Sequence, residues 1–303
     1  MKFIGPMLSE RSLLMIGFPP GFGLGTFWIG QPVPDAEERA AAVVAHAFDC
    51  GITYFDTAPL YGAGAAERRL GAALAGRKPG SYLISTKAGR RVMPSGAVEY
   101  DFSADGIRRS VEDSLTRLGL DRVGICFLHD PDNHAEQALT EAYPALEAMR
   151  AEGLFGHVGV GIMSTALPTR FIRETDIDVV LIAGRWSLLD HSAGAELLPA
   201  ALERGVDIVV GGVFNSGILA DPASNRFDMQ PASPAVRERA ARIAETCARH
   251  GVPVRAAALQ FPSRHPAVSA VLAGCATIAE IDDNRAGLSA EIPPALWDEL
   301  NFI

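Results

Sequence analysis

The chain has no block of lysines or arginines, no apolar run of membrane-spanning length, and no pair of cysteines at metal-ligand spacing. The first absence, together with a formal charge of −9, argues against nucleic acid and anionic membrane as partners, because both select clustered cations. The second leaves no candidate transmembrane helix. An apolar patch over 13–18 is cut short by Pro19, Pro20 and Gly21, and no basic segment with a long apolar run and a small-residue cleavage site follows it. The third absence concerns Cys50, Cys126, Cys247 and Cys275, which lie far apart. In a domain of this size they read as reduced thiols, and no metal is expected. The expectation is a soluble, cytoplasmic protein.

Also lacking are low-complexity tracts, close repeats and linker-like composition inside the pattern. At 303 residues, 48% hydrophobic and 21% charged, the chain can bury one large core. What is present is an alternation of short apolar runs with amphipathic ones. A first strand ends over 23–26, and further strands are expected over 52–55, 82–87, 123–128, 157–161, 178–182, 206–210 and 268–272. Helices are expected from Asp35, read as an N-cap, to position 47, and over 65–74, 103–118, 135–150, 168–174, 193–204, 234–250, 255–263, 278–288 and 294–300. In the third of these, Ile107, Val111, Leu115 and Leu118 make one stripe. The stretches 89–101 and 214–233 read as loops.

Eight strand–helix units, with near-continuous apolar strands such as 206–210, predict an α/β fold: a closed (β/α)8 TIM barrel. It would be a single domain over 1–303 with an extra C-terminal helix. A doubly wound open sheet is the alternative, but its phosphate-binding turn fails here, because Gly21-Phe22-Gly23-Leu24-Gly25 is followed by Thr26 and then Phe27-Trp28.

Four polar residues share one place in this pattern. Asp56 and Tyr61 follow the second strand, Lys87 ends the third and His129 ends the fourth. Singly, each has an ordinary explanation as a cap, turn or solvated residue. Together, at the matched C-terminal ends of adjacent strands, they point to chemistry. A phenol loses its proton near pH 10. A neighbouring ammonium lowers that value, and Asp56 would hold Lys87 in place. Tyr61 then serves as proton donor or acceptor, with His129 orienting the same substrate oxygen. That is acid–base support for hydride transfer at a carbonyl carbon, with the hydride carried by a nicotinamide.

These residues carry a resemblance. Gly51 to Gly62, the following Ala66-Glu67-Arg68-Arg69-Leu70-Gly71, Ile84-Ser85-Thr86-Lys87, the 110–119 helix, Leu128-His129 and the stretch to Asn284 are similar to the aldo-keto reductase superfamily. The resemblance spans nearly the whole chain. It implies a (β/α)8 barrel with the tetrad Asp56, Tyr61, Lys87 and His129. It also implies an NAD(P) site that includes Gly25, Thr26, Asp56, Ser164, Phe214, Asn215, Ser216, Gly217, Leu219, Gly274, Thr277, Glu280, Asp283 and Asn284. The usual carboxamide-binding Asn falls near Met163, the usual Gln near Ala183, and the usual stacking Tyr at Gly211, with Val213 or Phe214 as replacements. Around the adenosine, Ala276 and Glu280 stand where relatives that use NADP carry cations for the 2′-phosphate, so NAD is expected in preference to NADP.

The most similar branch of the superfamily oxidises cyclic hemiacetals. The expected reaction takes the hemiacetal carbon of an aldose sugar, of L-fucose or D-threo-aldose type, to a lactone. Alternatives are pyridoxal oxidation to 4-pyridoxolactone, a broad NADPH-dependent aldehyde reductase, or a cofactor-binding regulatory protein. Phe27, Trp28, Tyr61, His129, Arg185 and Trp186 are the candidate substrate walls. The partner is a small molecule, sugar or pyridoxal, and the motifs specify no oligomeric state.

Overall fold

The computed structural model describes residues 16–93, 95–221 and 223–301. Residues 13–15 of the apolar patch lie outside the described residues. Eight parallel strands close into a barrel: β1 Gly23–Gly25, β2 Tyr54–Asp56, β3 Leu83–Ala88, β4 Val123–His129, β5 Phe155–Ile162, β6 Val179–Ala183, β7 Asp207–Gly211 and β8 Val268–Gly274. Each pairs with its successor, and β8 pairs with β1. Among the described residues, no helix is long and apolar enough to cross a membrane.

Side chains alternate between the two faces of each strand. Phe55, Ile84, Cys126, Leu128, Val158, Val160, Val180, Ile182, Ile208 and Val210 face outward and form the large core against the helices. Tyr54, Ile125, Phe127, Val179, Leu181, Val209, Ala270 and Leu272 fill the barrel itself. Continuing the inward parity to the strand ends brings Asp56, Lys87 and His129 to the C-terminal mouth. Gly25, Gly161, Ala183, Gly211 and Gly274 follow the same parity on the other strands, and small residues there leave space above the filled interior.

The helices are α1 Ala36–Asp49, α2 Ala65–Leu74, α3 Ala104–Leu118, α4 Tyr143–Ala151, α5 Ala166–Glu174, α6 Leu197–Arg204, α7 Pro234–Arg249, α8 Val254–Gln260, α9 Ile278–Ser289 and α10 Pro294–Leu300. Ser103 caps α3, its Oγ accepting the Gly106 N–H at 3.1 Å, and the apolar stripe of that helix is buried. Asp35 does not cap α1 as expected. Its backbone is left-handed, with φ of 55°, and its side chain makes no capping bond. A capping carboxylate needs extended backbone to turn back on the first-turn amides.

Two expected loops carry structure. Arg90–Val92 and Val98–Tyr100 form an antiparallel hairpin inside 89–101. A two-residue ladder, Arg226–Phe227 with Gln230–Pro231, folds inside 214–233. Both are too short and polar for an alternation signal. The helical run over 135–151 contains a π-helical turn, Ala138–Ala142.

One buried group ties the barrel to two helices. Glu67 of α2 is fully buried. It accepts from Thr86 Oγ1 of β3 at 2.7 Å and from Arg117 Nε of α3 at 2.6 Å. Gly71, one turn on, packs so closely that a Cβ there would meet the Leu118 carbonyl oxygen at 2.2 Å. Removing one partner of a buried charge pair strands the other, at a cost of about 3–5 kcal/mol. Glu67→Ala should lose stability of that order in urea unfolding. A loss within experimental error would show that Arg117 finds water instead.

Candidate active site

The mouth is assembled around a buried ion pair. Lys87 Nζ donates to Asp56 Oδ2 at 2.6 Å and to the Thr57 carbonyl at 2.8 Å. The two side chains are 2% and 4% exposed. The other carboxylate oxygen accepts from Ser85 Oγ at 2.7 Å, and Tyr54 Oη lies 3.1 Å from the same hydroxyl. The register Asp56↔Ser85 between β2 and β3 makes this possible. Ser85 and Tyr54 were missed in the sequence. The signal was there, since Ser85 has the parity of Lys87, and Tyr54 that of Asp56. Burial alone would push the Lys87 ammonium down, but Asp56 and then Tyr61 outweigh it, and it sits above its ordinary range. Lys87 is a fixed cation.

Tyr61 stands in the turn after β2. Gly62 has φ of 59°, and a Cβ there would lie 2.0 Å from the Gly30 carbonyl oxygen. The turn is thus pressed against the β1 loop, and only glycine fits. The Tyr61 ring meets Phe27 edge-on at 5.5 Å and His129 edge-on at 6.3 Å, and Lys87 Nζ lies 4.8 Å from its centroid. From sequence alone, Lys87 is expected to lower the phenol's pKa. Lys87 does pull it down, but desolvation of the hydroxyl is larger, and the net shift is upward. Tyr61 is therefore a protonated phenol at neutral pH.

His129 ends β4 opposite Gly161. Its ring is buried, and its Nδ1 has no partner among the described residues. Nε2 lies 3.7 Å from Asp130 Oδ2, a carboxylate already paired with Arg90. Burial, with Lys87 and Arg90 nearby, holds the imidazole well below its usual range, so it is neutral.

Residues 21–302 match the Aldo/keto reductase family model. The chain belongs to the aldo-keto reductase family. It is 39% identical to D-threo-aldose 1-dehydrogenase from a Pseudomonas species, over 93% of each chain. It is 36% identical to pyridoxal 4-dehydrogenase from Microbacterium luteolum, over 92% of each. In fold it is similar to an aldo-keto reductase from Bacillus halodurans in its holo form, with a TM-score of 0.77, 24% identity and coverage of 93% of this chain and 91% of that one. The protein is an NAD(P)-dependent oxidoreductase, and the (β/α)8 expectation is met.

As an aldo-keto reductase it must receive a nicotinamide cofactor, and the rest of the mouth fits a polar ligand. Thr26 Oγ1 after β1, Ser164 Oγ after β5 and Asn215 Oδ1 after β7 are buried and lack partners among the described residues. The strand ends between them are Gly25, Ala183, Gly211 and Gly274. Asn215 and Ser216 adopt positive φ angles of 45° and 60°, followed by Gly217 at 102°. Left-handed backbone at non-glycine residues is held only where the surroundings enforce it. Here Ser216 Oγ accepts the Met229 N–H at 2.8 Å, and Asn215 Nδ2 donates to the Gly184 carbonyl at 3.3 Å.

Arg185 is the brace of this side, not an open substrate wall. Its Nε donates to the Met163 carbonyl, and its terminal nitrogens to Asp190 and Asp228, at 2.6, 2.9 and 2.6 Å. It thereby joins the ends of β5 and β6 to the loop after β7. Val213 is buried in the core, so Phe214 remains as the candidate ring. That ring has the Arg255 guanidinium 5.2 Å above it.

After β8, where the resemblance puts the adenosine, Thr277 caps α9, and Glu280 Oε2 accepts the Ala276 N–H at 2.6 Å. Asn284 is buried and engaged at both ends, accepting from Arg255 Nε at 2.9 Å and donating to Cys275 Sγ at 3.2 Å. Arg255 lies 3.8 Å from Asp283. No basic residue precedes Arg285 in this loop, but the fold brings Arg255 in from α8. Leu219 is packed in the second core under the loop. Of the substrate candidates, Phe27 lies on Tyr61, and Trp28 stays half exposed beside Gly274. Trp186 is instead part of a separate aromatic cluster with His191, Phe261 and His265, its Nε1 donating to the Pro262 carbonyl at 3.4 Å.

The neutral His129 has a consequence for stability. Unfolded, it takes a proton below about pH 6.5. Folded, it takes one only at much lower pH, so between those two points the unfolded chain binds more protons and stability falls as pH falls. The slope is up to about 1.4 kcal/mol per pH unit. Between pH 7 and 5 the parent should lose more unfolding free energy than His129→Gln. Equal losses in denaturant titrations would refute the assignment.

Proposed function

We propose that this aldo-keto reductase oxidises the hemiacetal carbon of an aldose sugar to a lactone, with Tyr61 as general acid/base. The observation that carries the reading is the convergence of Tyr61, the fixed Lys87 cation and the neutral His129 at one end of the barrel. Similarity to D-threo-aldose 1-dehydrogenase over nearly the whole chain favours the sugar. Pyridoxal is the second reading, favoured by the similarity to pyridoxal 4-dehydrogenase. We take the domain to be the whole chain, 1–303.

In this reading the substrate hydroxyl bonds to Tyr61 Oη and to His129, a neutral imidazole that can donate without competing for the proton. Tyr61 acts as the phenolate, whose negative charge the Lys87 ammonium stabilises; it takes the hydroxyl proton as the carbonyl forms and becomes the neutral phenol. Asp56 holds Lys87 and is not itself the acid. A bound nicotinamide would supply the acceptor for the hydride that leaves the hemiacetal carbon. Its holders would be Gly25, Thr26, Asp56, Ser164, Phe214, Asn215, Ser216, Gly217 and Leu219. Around the adenosine they would be Gly274, Thr277, Glu280, Asp283 and Asn284. NAD is the preferred cofactor. Glu280 places a carboxylate at the start of α9, and Arg255 is already engaged by Asn284 and Asp283, so a 2′-phosphate there meets an anion and a cation that already has partners.

Initial rates at the reduced-nicotinamide absorbance, with NAD or NADP against L-fucose, D-arabinose, L-galactose and pyridoxal, test this directly. A sugar with NAD should give the highest kcat/KM. A best rate with pyridoxal would select the second reading, and higher efficiency with NADP would overturn the cofactor preference. Tyr61→Phe should lower kcat by about 10²–10⁴-fold while cofactor binding is retained. Because the Tyr61 phenol is raised above 10, oxidation should still be accelerating with pH at 9, and a plateau by pH 7 would contradict Tyr61 as the base.

A further inference from the structure

Away from the mouth, three potential ligands meet between the first helix and the ninth. His46 lies one turn before Cys50, the residue that closes α1, so their side chains share a face. Asp282 of α9 comes to the same spot from 236 positions beyond His46. Nε2 of His46 is 2.8 Å from Asp282 Oδ1 and 3.5 Å from Cys50 Sγ. All three ligand atoms lie within 4.8 Å of one another. Such a cluster cannot be found from cysteine spacing, since only one cysteine takes part.

We propose that His46, Cys50 and Asp282 form a binding site for a divalent transition metal of the zinc class, separate from the catalytic mouth. On a tetrahedral Zn²⁺, with bonds of about 2.0–2.3 Å, neighbouring nitrogen, sulfur and oxygen ligands stand roughly 3.4–3.6 Å apart. The sulfur–nitrogen distance already has that value. The nitrogen–oxygen distance must open by about half an ångström as the hydrogen bond gives way to two metal bonds. Asp282 can make that move, because its side chain is 52% exposed.

The donor set selects the metal. An imidazole and a thiolate with one carboxylate suit Zn²⁺ or Co²⁺ and reject Mg²⁺ and Ca²⁺, which require oxygen ligands. Thiolate and carboxylate together balance the 2+ charge, and the exposed side of the cluster leaves the fourth position to water. On binding, the Cys50 thiol releases its proton to solvent. His46 Nε2 must be free of any proton shared with Asp282, so affinity rises with pH. No oxidation or reduction is involved. Asp282 immediately precedes Asp283 and Asn284, so the metal would also clamp α9, which carries the adenosine residues, to α1.

The test uses the full chain after chelator treatment and needs no turnover, so it is independent of the proposed reaction. Titration with Co²⁺ should give one equivalent of intense visible bands, typical of tetrahedral cobalt, with a near-ultraviolet thiolate charge-transfer band. Zn²⁺ should displace both. Cys50→Ala should abolish the charge-transfer band. Asp282→Asn, at an exposed position that does not threaten folding, should weaken binding by at least about tenfold, as should His46→Ala. A weak octahedral spectrum, a charge-transfer band that survives Cys50→Ala, or undiminished affinity in Asp282→Asn would overturn the site and leave a simple His–Asp ion pair.

Discussion

The buried pair of Lys87 and Asp56 is the constraint on which the mouth depends. Two charges nearly out of water cost several kcal/mol each, unless geometry and further hydrogen bonds compensate. The compensation comes from two adjacent strands: the Thr57 carbonyl on one side of the ammonium, and Ser85, itself against Tyr54, on the other side of the carboxylate. It holds only in one register of β2 on β3. A slip of one residue would turn all of these groups to the opposite face of the sheet. Outward-facing neighbours such as Phe55 and Ile84, sealed by α2 and α3, enforce that register. Glu67 fastens the same seam from the helix side.

The mouth is consequently divided. On β2 and β3 the carboxylate, the ammonium and the Ser85 hydroxyl satisfy one another, and the groups on β2 to β4 have set charges: a fixed cation, a neutral imidazole and a protonated phenol. On β5 to β8 and β1 the strand ends are small, and several buried hydroxyl and amide oxygens stay unpaired. A preorganised half can act on charge as it develops in a reaction. An unsatisfied half gains by binding a polar ligand, because such groups are costly to leave without partners. Arg185 keeps the second half in shape by joining the ends of β5 and β6 to the loop after β7 through one guanidinium. An arginine that donates in three directions to fixed acceptors is a brace first.

Much of this was legible. The strand ends bearing Asp56, Lys87 and His129 were visible because strand parity and apolar runs are local, and inward parity then follows. The α3 stripe, in a helix opening at Ser103, read correctly for the same reason. Asp35 misled because capping residue types are recognisable in sequence, whereas the left-handed backbone that disables the cap is not. The hairpin within 89–101 was invisible because its strands are three residues long and mostly polar. The phenol's shift was predicted with the wrong sign, since a neighbouring charge can be read from spacing but the extent of desolvation cannot. Arg255 was missed altogether, as nothing local links α8 to the loop after β8.

By itself the sequence determined the alternation of strands and helices, hence the barrel, and the order of chemical groups at its strand ends. These depend on periodicity and residue type, which short-range sterics and apolar burial translate into structure. The tertiary structure alone decided which side chains share a partner: Ser85 on Asp56, Arg185 from the end of β6 to the end of β5 and the loop after β7, Arg255 on Asn284, and Asp282 beside His46 and Cys50. It also decided which groups keep their charge. The reason is physical: hydrogen bonding and desolvation depend on distances between segments far apart in the chain, and those distances exist only once the barrel has closed.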